Sequence, residues 1–199
     1  ARALVTGASA GLGRRFAKTL AKAGAKVAIT ARRLEKLEEL AAEIRAEGGE
    51  ALPLQLDVTD ADQLIAVVGQ AEAKLGTVTI LVNNAGIPDA QRATKMSVEL
   101  IDRVLDTNLR GPYILSCEVA RRLMAAKLPG RMVNIASSAA YNYSGNGAAL
   151  YSISKSAIVR MTEALAVEWA PFHINVNAIA PGAFMSEMMD GMLQRKSFP

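Results

Sequence analysis

The chain has 199 residues, of which 51% are apolar and 21% are charged, and its formal net charge is +4. The mild basic excess is dispersed among acidic residues, which argues against a nucleic-acid partner, and no apolar run approaches the ~18 residues of a membrane span. A single cysteine, Cys117, and a single histidine, His173, argue against an internal disulfide, a metal site and a Cys-His or Ser-His nucleophile pair, so we expect a reducing, cytoplasmic location.

Predicted strands and helices alternate along the whole chain. In chain order they are the strand RALVTG (2–7), a helix ending at Gly24, the strand KVAIT (26–30), a helix with the apolar stripe Leu34, Leu37, Leu40 and Ile44, the strand ALPLQLDV (51–58), a helix capped by Thr59 or Asp60 and ending at Leu75, the strand VTILVNNAG (78–86), a long helix over about 98–126 bent near Gly111 and Pro112, the strand RMVNIAS (131–137), a helix over 152–169, and the strand INVNAIAPG (174–182).

The strands are near-continuous apolar runs, which is typical of a parallel sheet covered by helices on both faces. Right-handed crossovers then predict a doubly wound α/β fold. The sequence contains no repeat, low-complexity segment or linker, so we predict one domain over residues 1–199.

A glycine-rich turn, TGASAGLG, joins the first strand to the first helix. Gly7, Gly11 and Gly13 would allow the backbone to approach a ligand closely, and the N–H groups of the following helix suit a pyrophosphate. The spacing is neither G-x-G-x-x-G nor a P-loop, so a purely structural turn is the alternative.

The end of the second strand bears on the choice of dinucleotide. A carboxylate at this place would bind a free ribose 2′-hydroxyl, but the sequence here is ITARR, without an acid. The guanidinium of Arg32 can bind a 2′-phosphate through two hydrogen bonds, which favours NADP(H), with NAD(H) as the alternative. A solvated basic pair at a helix start would explain the same residues.

Tyr151 and Lys155 lie four residues apart in the segment LYSISKSAI and would share one face of a helix. The pair is either a surface coincidence or an acid with a tuning charge. A close ammonium favours the phenolate, so Lys155 would lower the pKa of Tyr151 from its usual ~10.

Seven short motifs in order resemble the classical short-chain dehydrogenases/reductases over nearly the whole chain. They are TGASAGLG (6–13), LDV (56–58), NNAG (83–86), TN (107–108), SS (137–138), YSISK (151–155) and PGAFMS (181–186).

This resemblance implies a Rossmann-type fold, a nicotinamide cofactor and specific site residues. Ser138 is preferred over Ser137 because it is the second serine of the pair, thirteen residues before Tyr151. The implied catalytic residues are Asn108, Ser138, Tyr151 and Lys155, with Asn108 holding a water that links Lys155 to solvent. The implied cofactor-binding residues are Gly7, Ser9, Gly11, Leu12, Gly13, Arg32, Asp57, Val58, Asn84, Ala85, Gly86, Tyr151, Lys155, Pro181, Gly182 and Ser186.

The chain is shorter than the roughly 250 residues common in the family, so a final strand and its preceding helix are expected to be missing. The family's substrate loop would fall at about 183–199. Four methionines between Met185 and Met192 suggest an adaptable apolar lid over an apolar substrate, although such a loop can equally be disordered or pack on a neighbour.

We therefore expect an oxidoreductase that transfers a hydride between NADP(H) and the carbonyl or secondary alcohol of an apolar small molecule, for which a 3-oxoacyl thioester is one candidate. The alternative is a nucleotide-binding regulatory or scaffolding protein without turnover. The resemblance also implies a homodimer or homotetramer, in which a two-fold interface forms through the helices around 114–124 and 151–169.

Overall fold

Parallel strands form one sheet in the computed structural model of the chain, which describes residues 1–89, 91–143, 145 and 147–182. The predicted substrate loop at 183–199, including Ser186, lies outside the described residues. The strands are β1 (Arg2–Thr6), β2 (Lys26–Ala31), β3 (Glu50–Gln55), β4 (Ile80–Asn83), β5 (Gly130–Ile135) and β6 (Ile174–Ile179).

Helices connect each strand to the next one along the chain. They are α1 (Gly11–Lys22), α2 (Leu34–Ala46), α3 (Ala61–Leu75), α4 (Val98–Leu105), α5 (Gly111–Ala126) and α6 (Ala149–Trp169). A π-helical turn, Asp106–Arg110, joins α4 to α5.

The strand order is β3-β2-β1-β4-β5-β6, and all the neighbouring strands are parallel. This order confirms the predicted doubly wound α/β fold. The chain reverses its direction of growth between β1 and β4, and in such sheets ligands bind beyond the carboxyl ends of the strands at this switch point.

Helices cover both faces of the sheet, as the apolar strands predicted. Side chains from α1 and α2 pack on one face, where Leu37, Leu40 and Ile44 are buried. Side chains from α3, α5 and α6 pack on the other face. The last strand, β6, instead alternates: Ile174 and Val176 are buried, whereas its other residues are exposed.

The predicted bend in the long helix is the π-helical turn that directly precedes Gly111 and Pro112. A Cβ at Gly111 would lie only 2.3 Å from the carbonyl oxygen of Val58, so the helix needs glycine to pass this backbone. Pro112 fits the first turn of α5 because a residue there has no N–H partner within that helix, so the missing donor costs little. Asn108 lies within the π-helical turn and is buried.

Candidate active site

A cleft of about 1150 Å³ lies beyond the carboxyl ends of the strands. The predicted site residues that line it are Gly7, Ser9, Gly11, Leu12, Arg32, Asp57, Val58, Asn84, Ala85, Gly86, Ser138, Tyr151, Lys155, Pro181 and Gly182. Gly13 and Asn108 are not among the lining residues.

The turn between β1 and α1 has the features of an anion-binding cradle. Gly7 and Gly11 have φ values of 65° and 55°, in the left-handed region that favours glycine. Ala10, at the N-cap, offers no side-chain hydrogen bond, and the first turn of α1 contains no acid. Its N–H groups and positive helix end therefore suit a pyrophosphate, which supports a dinucleotide here.

Gly13 does not line the cleft and instead allows close packing of α1 on the glycine-rich turn. A Cβ at Gly13 would lie 2.3 Å from the carbonyl oxygen of Gly7 and 2.5 Å from Nδ2 of Asn84. That amide nitrogen donates to the carbonyl oxygens of Thr6 and Gly7 at 2.9 and 3.1 Å. The third glycine of the motif thus lets α1 pack closely on the turn, and Asn84 holds the turn in shape.

Two arginines, Arg32 and Arg33, line the cleft after the end of β2, whereas only Arg32 was predicted from the sequence. Arg32 is exposed and lines the cleft, as does its neighbour Arg33. Nη2 of Arg33 donates to Oγ of Ser9 at 3.1 Å, which joins the end of β2 to the glycine-rich turn. Arg33 is therefore held against the glycine-rich turn, a contact that its position in ITARR could not reveal.

Tyr151 and Lys155 share one face at the start of α6, as their spacing predicted. Nζ of Lys155 lies 5.7 Å from the centre of the Tyr151 ring and donates to the carbonyl oxygen of Ile135 at 2.7 Å. Lys155 is only 4% exposed, so this pair is not a surface coincidence.

The electrostatics of the pair correct one expectation. Burial raises the pKa of Tyr151, and a hydrogen bond with Ser137 only partly opposes the rise. Burial also lowers the pKa of Lys155 from 10.5 to about 8. The predicted lowering of the phenol pKa by Lys155 is therefore wrong for the protein alone, because burial of the ring dominates. Near neutral pH the phenol is a neutral proton donor.

Ser137 and Ser138 both line the cleft that also contains Tyr151. The Ser137 Oγ accepts a hydrogen bond from the N–H of Ala139 at 3.1 Å. Ser138 is exposed and begins a short 3₁₀ turn. The preference for Ser138 over Ser137 as the catalytic serine therefore stays a prediction.

Asn108 has its side-chain amide engaged in holding the backbone. Its Nδ2 donates to the carbonyl oxygen of Ile87 at 2.9 Å and to Oγ of Ser154 at 3.1 Å, while its Oδ1 accepts from the N–H of Ile87 at 2.8 Å. Asn108 thereby fixes the segment after β4 against α6. The expected role of holding a water beside Lys155 stays a prediction.

Asp89 is a further polar group in the cleft that the motifs did not include. It follows β4 by six residues, is almost fully buried, and has Oδ2 3.0 Å from the backbone N–H of Tyr151. No local pattern could have identified it, because it lies 62 positions from its partner. Within the described parts of the chain, no group of three or more His, Cys, Asp or Glu side chains could hold a metal ion.

Comparison with known proteins decides the family. The family model described as short chain dehydrogenase matches residues 1–197. The chain belongs to the short-chain dehydrogenase family. This membership, together with the cradle for a dinucleotide, supports a hydride-transferring oxidoreductase that uses a nicotinamide cofactor.

Three relatives show the range of this short-chain dehydrogenase's neighbours. It is 35% identical to a gluconate 5-dehydrogenase of Gluconobacter oxydans over 198 residues, covering 100% of this chain and 77% of that protein. It is 37% identical to a 3-oxoacyl-[acyl-carrier-protein] reductase of Staphylococcus aureus over 193 residues, covering 96% and 77%. A crystal structure of a short chain dehydrogenase from Burkholderia cenocepacia in complex with NADP matches with a TM-score of 0.89 and 36% identity, covering 94% of this chain and 76% of that one.

No helix in the described part of this short-chain dehydrogenase is both long enough and apolar enough to cross a membrane.

Proposed function

We propose that the protein is an NADP(H)-dependent carbonyl reductase or secondary-alcohol dehydrogenase. The observation that carries this proposal is one cleft lined by Tyr151, the buried Lys155, Ser138 and the glycine-rich turn after β1. The nicotinamide, when bound, would supply or accept the hydride. The turn after β1, the segments after β3 and β4, and Pro181 and Gly182 would hold the cofactor.

The residues of the chain handle the charge and the proton of this reaction. As a carbonyl is reduced, its oxygen becomes negative, and the Ser138 hydroxyl would donate a hydrogen bond to it. The neutral hydroxyl of Tyr151 would then donate the proton, because its raised pKa keeps it protonated at neutral pH. Lys155, still mostly protonated at pH 7 with a pKa of about 8, would stabilise the phenolate that remains.

The preference for NADP(H) rests on Arg32 and Arg33. Both guanidinium groups line the cleft, no carboxylate occupies the end of β2, and Arg33 contacts Ser9 of the turn. Two cations near a ribose favour a 2′-phosphate over a free hydroxyl. The NADP bound in the Burkholderia cenocepacia structure is consistent with this proposal.

The apolar substrate predicted from the methionines depends on residues outside the described part of the chain, and it stays a prediction. The single cysteine, Cys117, is partly buried, and the cytoplasmic location inferred from it also stays a prediction.

Two paired serine variants test the proposed chemistry. Turnover of a panel of ketones is measured by the absorbance of the reduced nicotinamide, with NADPH and NADH in parallel. Ser138→Ala should lower kcat/KM about 10²- to 10³-fold, as expected for loss of a hydrogen-bond donor to the developing oxyanion. Ser137→Ala, the matched control, should show a much smaller loss. A larger loss in Ser137→Ala would assign the role to Ser137, and absence of turnover with every ketone and alcohol would favour the non-catalytic alternative.

A further inference from the structure

The 3₁₀ turn Ser138–Ala140, which follows β5, is held by hydrogen bonds from several sides. Its first residue, Ser138, lines the cleft. The N–H of Ser138 donates to the carbonyl oxygen of Pro181 at 2.9 Å, and its own carbonyl oxygen accepts from the N–H groups of Tyr141 and Asn142, each at 3.1 Å. These bonds hold the backbone of Ser138, and the next two carbonyl groups of the turn need partners from elsewhere in the fold.

Two serines on α6 supply those partners. Oγ of Ser152 donates to the carbonyl oxygen of Ala139 at 2.6 Å, and Oγ of Ser156 donates to the carbonyl oxygen of Ala140 at 2.8 Å. The two serines are four residues apart and half-buried, so they lie together on one face of the helix. Consecutive carbonyl groups of the turn therefore each receive one hydroxyl group from α6.

Helix formation does not explain where these hydroxyl groups point. A serine within a helix commonly donates to a carbonyl oxygen of the preceding helical turn. The Ser152 hydroxyl instead donates out of the helix, and the Ser156 hydroxyl is shared between the carbonyl of Ser152 at 3.1 Å and the nearer one of Ala140 at 2.8 Å. Alanine forms helices better than serine, so the two hydroxyl groups serve the turn rather than the helix.

The same stretch of α6 carries the proton donor of the proposed reaction. Tyr151 directly precedes Ser152, and Lys155 directly precedes Ser156. One helix therefore holds both the phenol and the turn that presents the Ser138 hydroxyl. Both groups must reach the same substrate oxygen, and a displacement of about 1 Å can cost a large part of the rate.

We propose that Ser152 and Ser156 are positioning residues that hold the Ser138 hydroxyl at the substrate oxygen to which Tyr151 donates its proton. This inference rests on the proposed function. Neither Ser152 nor Ser156 is among the described residues that line the cleft, so both act through the turn. Loss of either bond lowers the fraction of molecules in which the turn has its productive conformation, and the rate falls with that fraction.

Alanine and threonine variants test this role with the best ketone and NADPH. Ser152→Ala and Ser156→Ala should each lower kcat about 2- to 10-fold, the range that corresponds to one hydrogen bond, and the double variant should lower it about 5- to 100-fold. The KM for the ketone and the Kd for NADPH should stay within about threefold, because neither serine contacts either molecule. Ser152→Thr and Ser156→Thr keep the hydroxyl groups and should recover most of the rate.

Two further comparisons separate positioning from stability. In a Ser138→Ala background, changing both serines to alanine should alter kcat by less than about threefold, because the group that they position is already gone. Ser97→Ala, the matched control, removes the side-chain cap of α4. It should lower the thermal unfolding temperature as the α6 variants do, but leave kcat unchanged.

An unchanged kcat in the double variant would overturn the proposal, as would an equally large loss in the Ser138→Ala background. If no ketone or alcohol is turned over, the proposed function fails separately. Amide hydrogen exchange of Tyr141 and Asn142, whose N–H groups bind the carbonyl of Ser138, then tests the contact itself. The double variant should exchange these amides about 5- to 100-fold faster, and unchanged exchange would show that the two serines do not hold the turn.

Discussion

Replacing Lys155 with methionine should stabilise the protein without cofactor at neutral pH even though it abolishes turnover. The fall in the pKa of this lysine from 10.5 to about 8 corresponds to about 3 kcal/mol of unfolding free energy, since each unit of pKa is about 1.36 kcal/mol. Burial of the ammonium is the cause, and a thioether of similar length avoids it.

One lost interaction offsets part of this gain. Nζ of Lys155 donates to the carbonyl oxygen of Ile135 at 2.7 Å, and methionine leaves that carbonyl without this donor, at a cost of about 1–2 kcal/mol. The net stabilisation of Lys155→Met at pH 7 is therefore about 1–2 kcal/mol, or roughly 2–8 °C in Tm for a protein of this size.

The difference between the two proteins should depend on pH with a definite sign. Because the folded pKa of Lys155 lies below its unfolded value, the folded wild type binds fewer protons between about pH 8 and 10.5. The stability of the wild type relative to Lys155→Met therefore rises through this window. By pH 10.5 the lysine is neutral in the folded state and retains its hydrogen bond, so the advantage of the variant should disappear.

Urea unfolding of the wild type and Lys155→Met at pH 7, 8, 9 and 10.5 measures this difference. Lys95→Met removes an exposed lysine and should show no comparable trend. A variant that is less stable than the wild type at pH 7, or a gap that is constant with pH, would show that the ammonium is well solvated or paired and would refute the reasoning.

The remaining predictions concern catalysis, the cofactor and assembly. Tyr151→Phe should retain cofactor binding, measured by fluorescence titration, while kcat falls at least ~10²–10⁴-fold. Retention of a tenth of the wild-type rate would contradict the role of Tyr151 as the acid. The wild type should bind NADPH about 10- to 150-fold more tightly than NADH in parallel titrations. Arg32→Ala and Arg33→Ala should each remove part of this preference, and equal affinities in the wild type would favour NAD(H). Val167 is 78% exposed on α6, one of the two helices of the predicted dimer interface. Val167→Glu should therefore convert a homodimer to a monomer in sedimentation, whereas Val98→Glu, at an exposed site on α4, should not. A monomeric wild type would contradict the predicted dimer.

The sequence alone determined those features that depend on neighbours along the chain. Apolar runs separated by helical stripes predicted the parallel sheet, and the glycines after β1 marked the phosphate-binding turn. The spacing of Tyr151 and Lys155 placed both on one face of α6, because four residues make about one helical turn. These inferences hold because hydrogen bonding within a helix and side-chain alternation along a strand are local.

The tertiary structure alone decided which side chains meet and how far they are desolvated. It starts α6 at Ala149, three residues before the predicted Ser152. Asp89 supplies the missing acceptor for that first turn from 62 positions away. The pKa of Tyr151 is raised rather than lowered, because burial of its ring is the largest influence on it. Contacts between distant segments and exclusion of water arise only when the chain is folded, so spacing along the sequence cannot determine them.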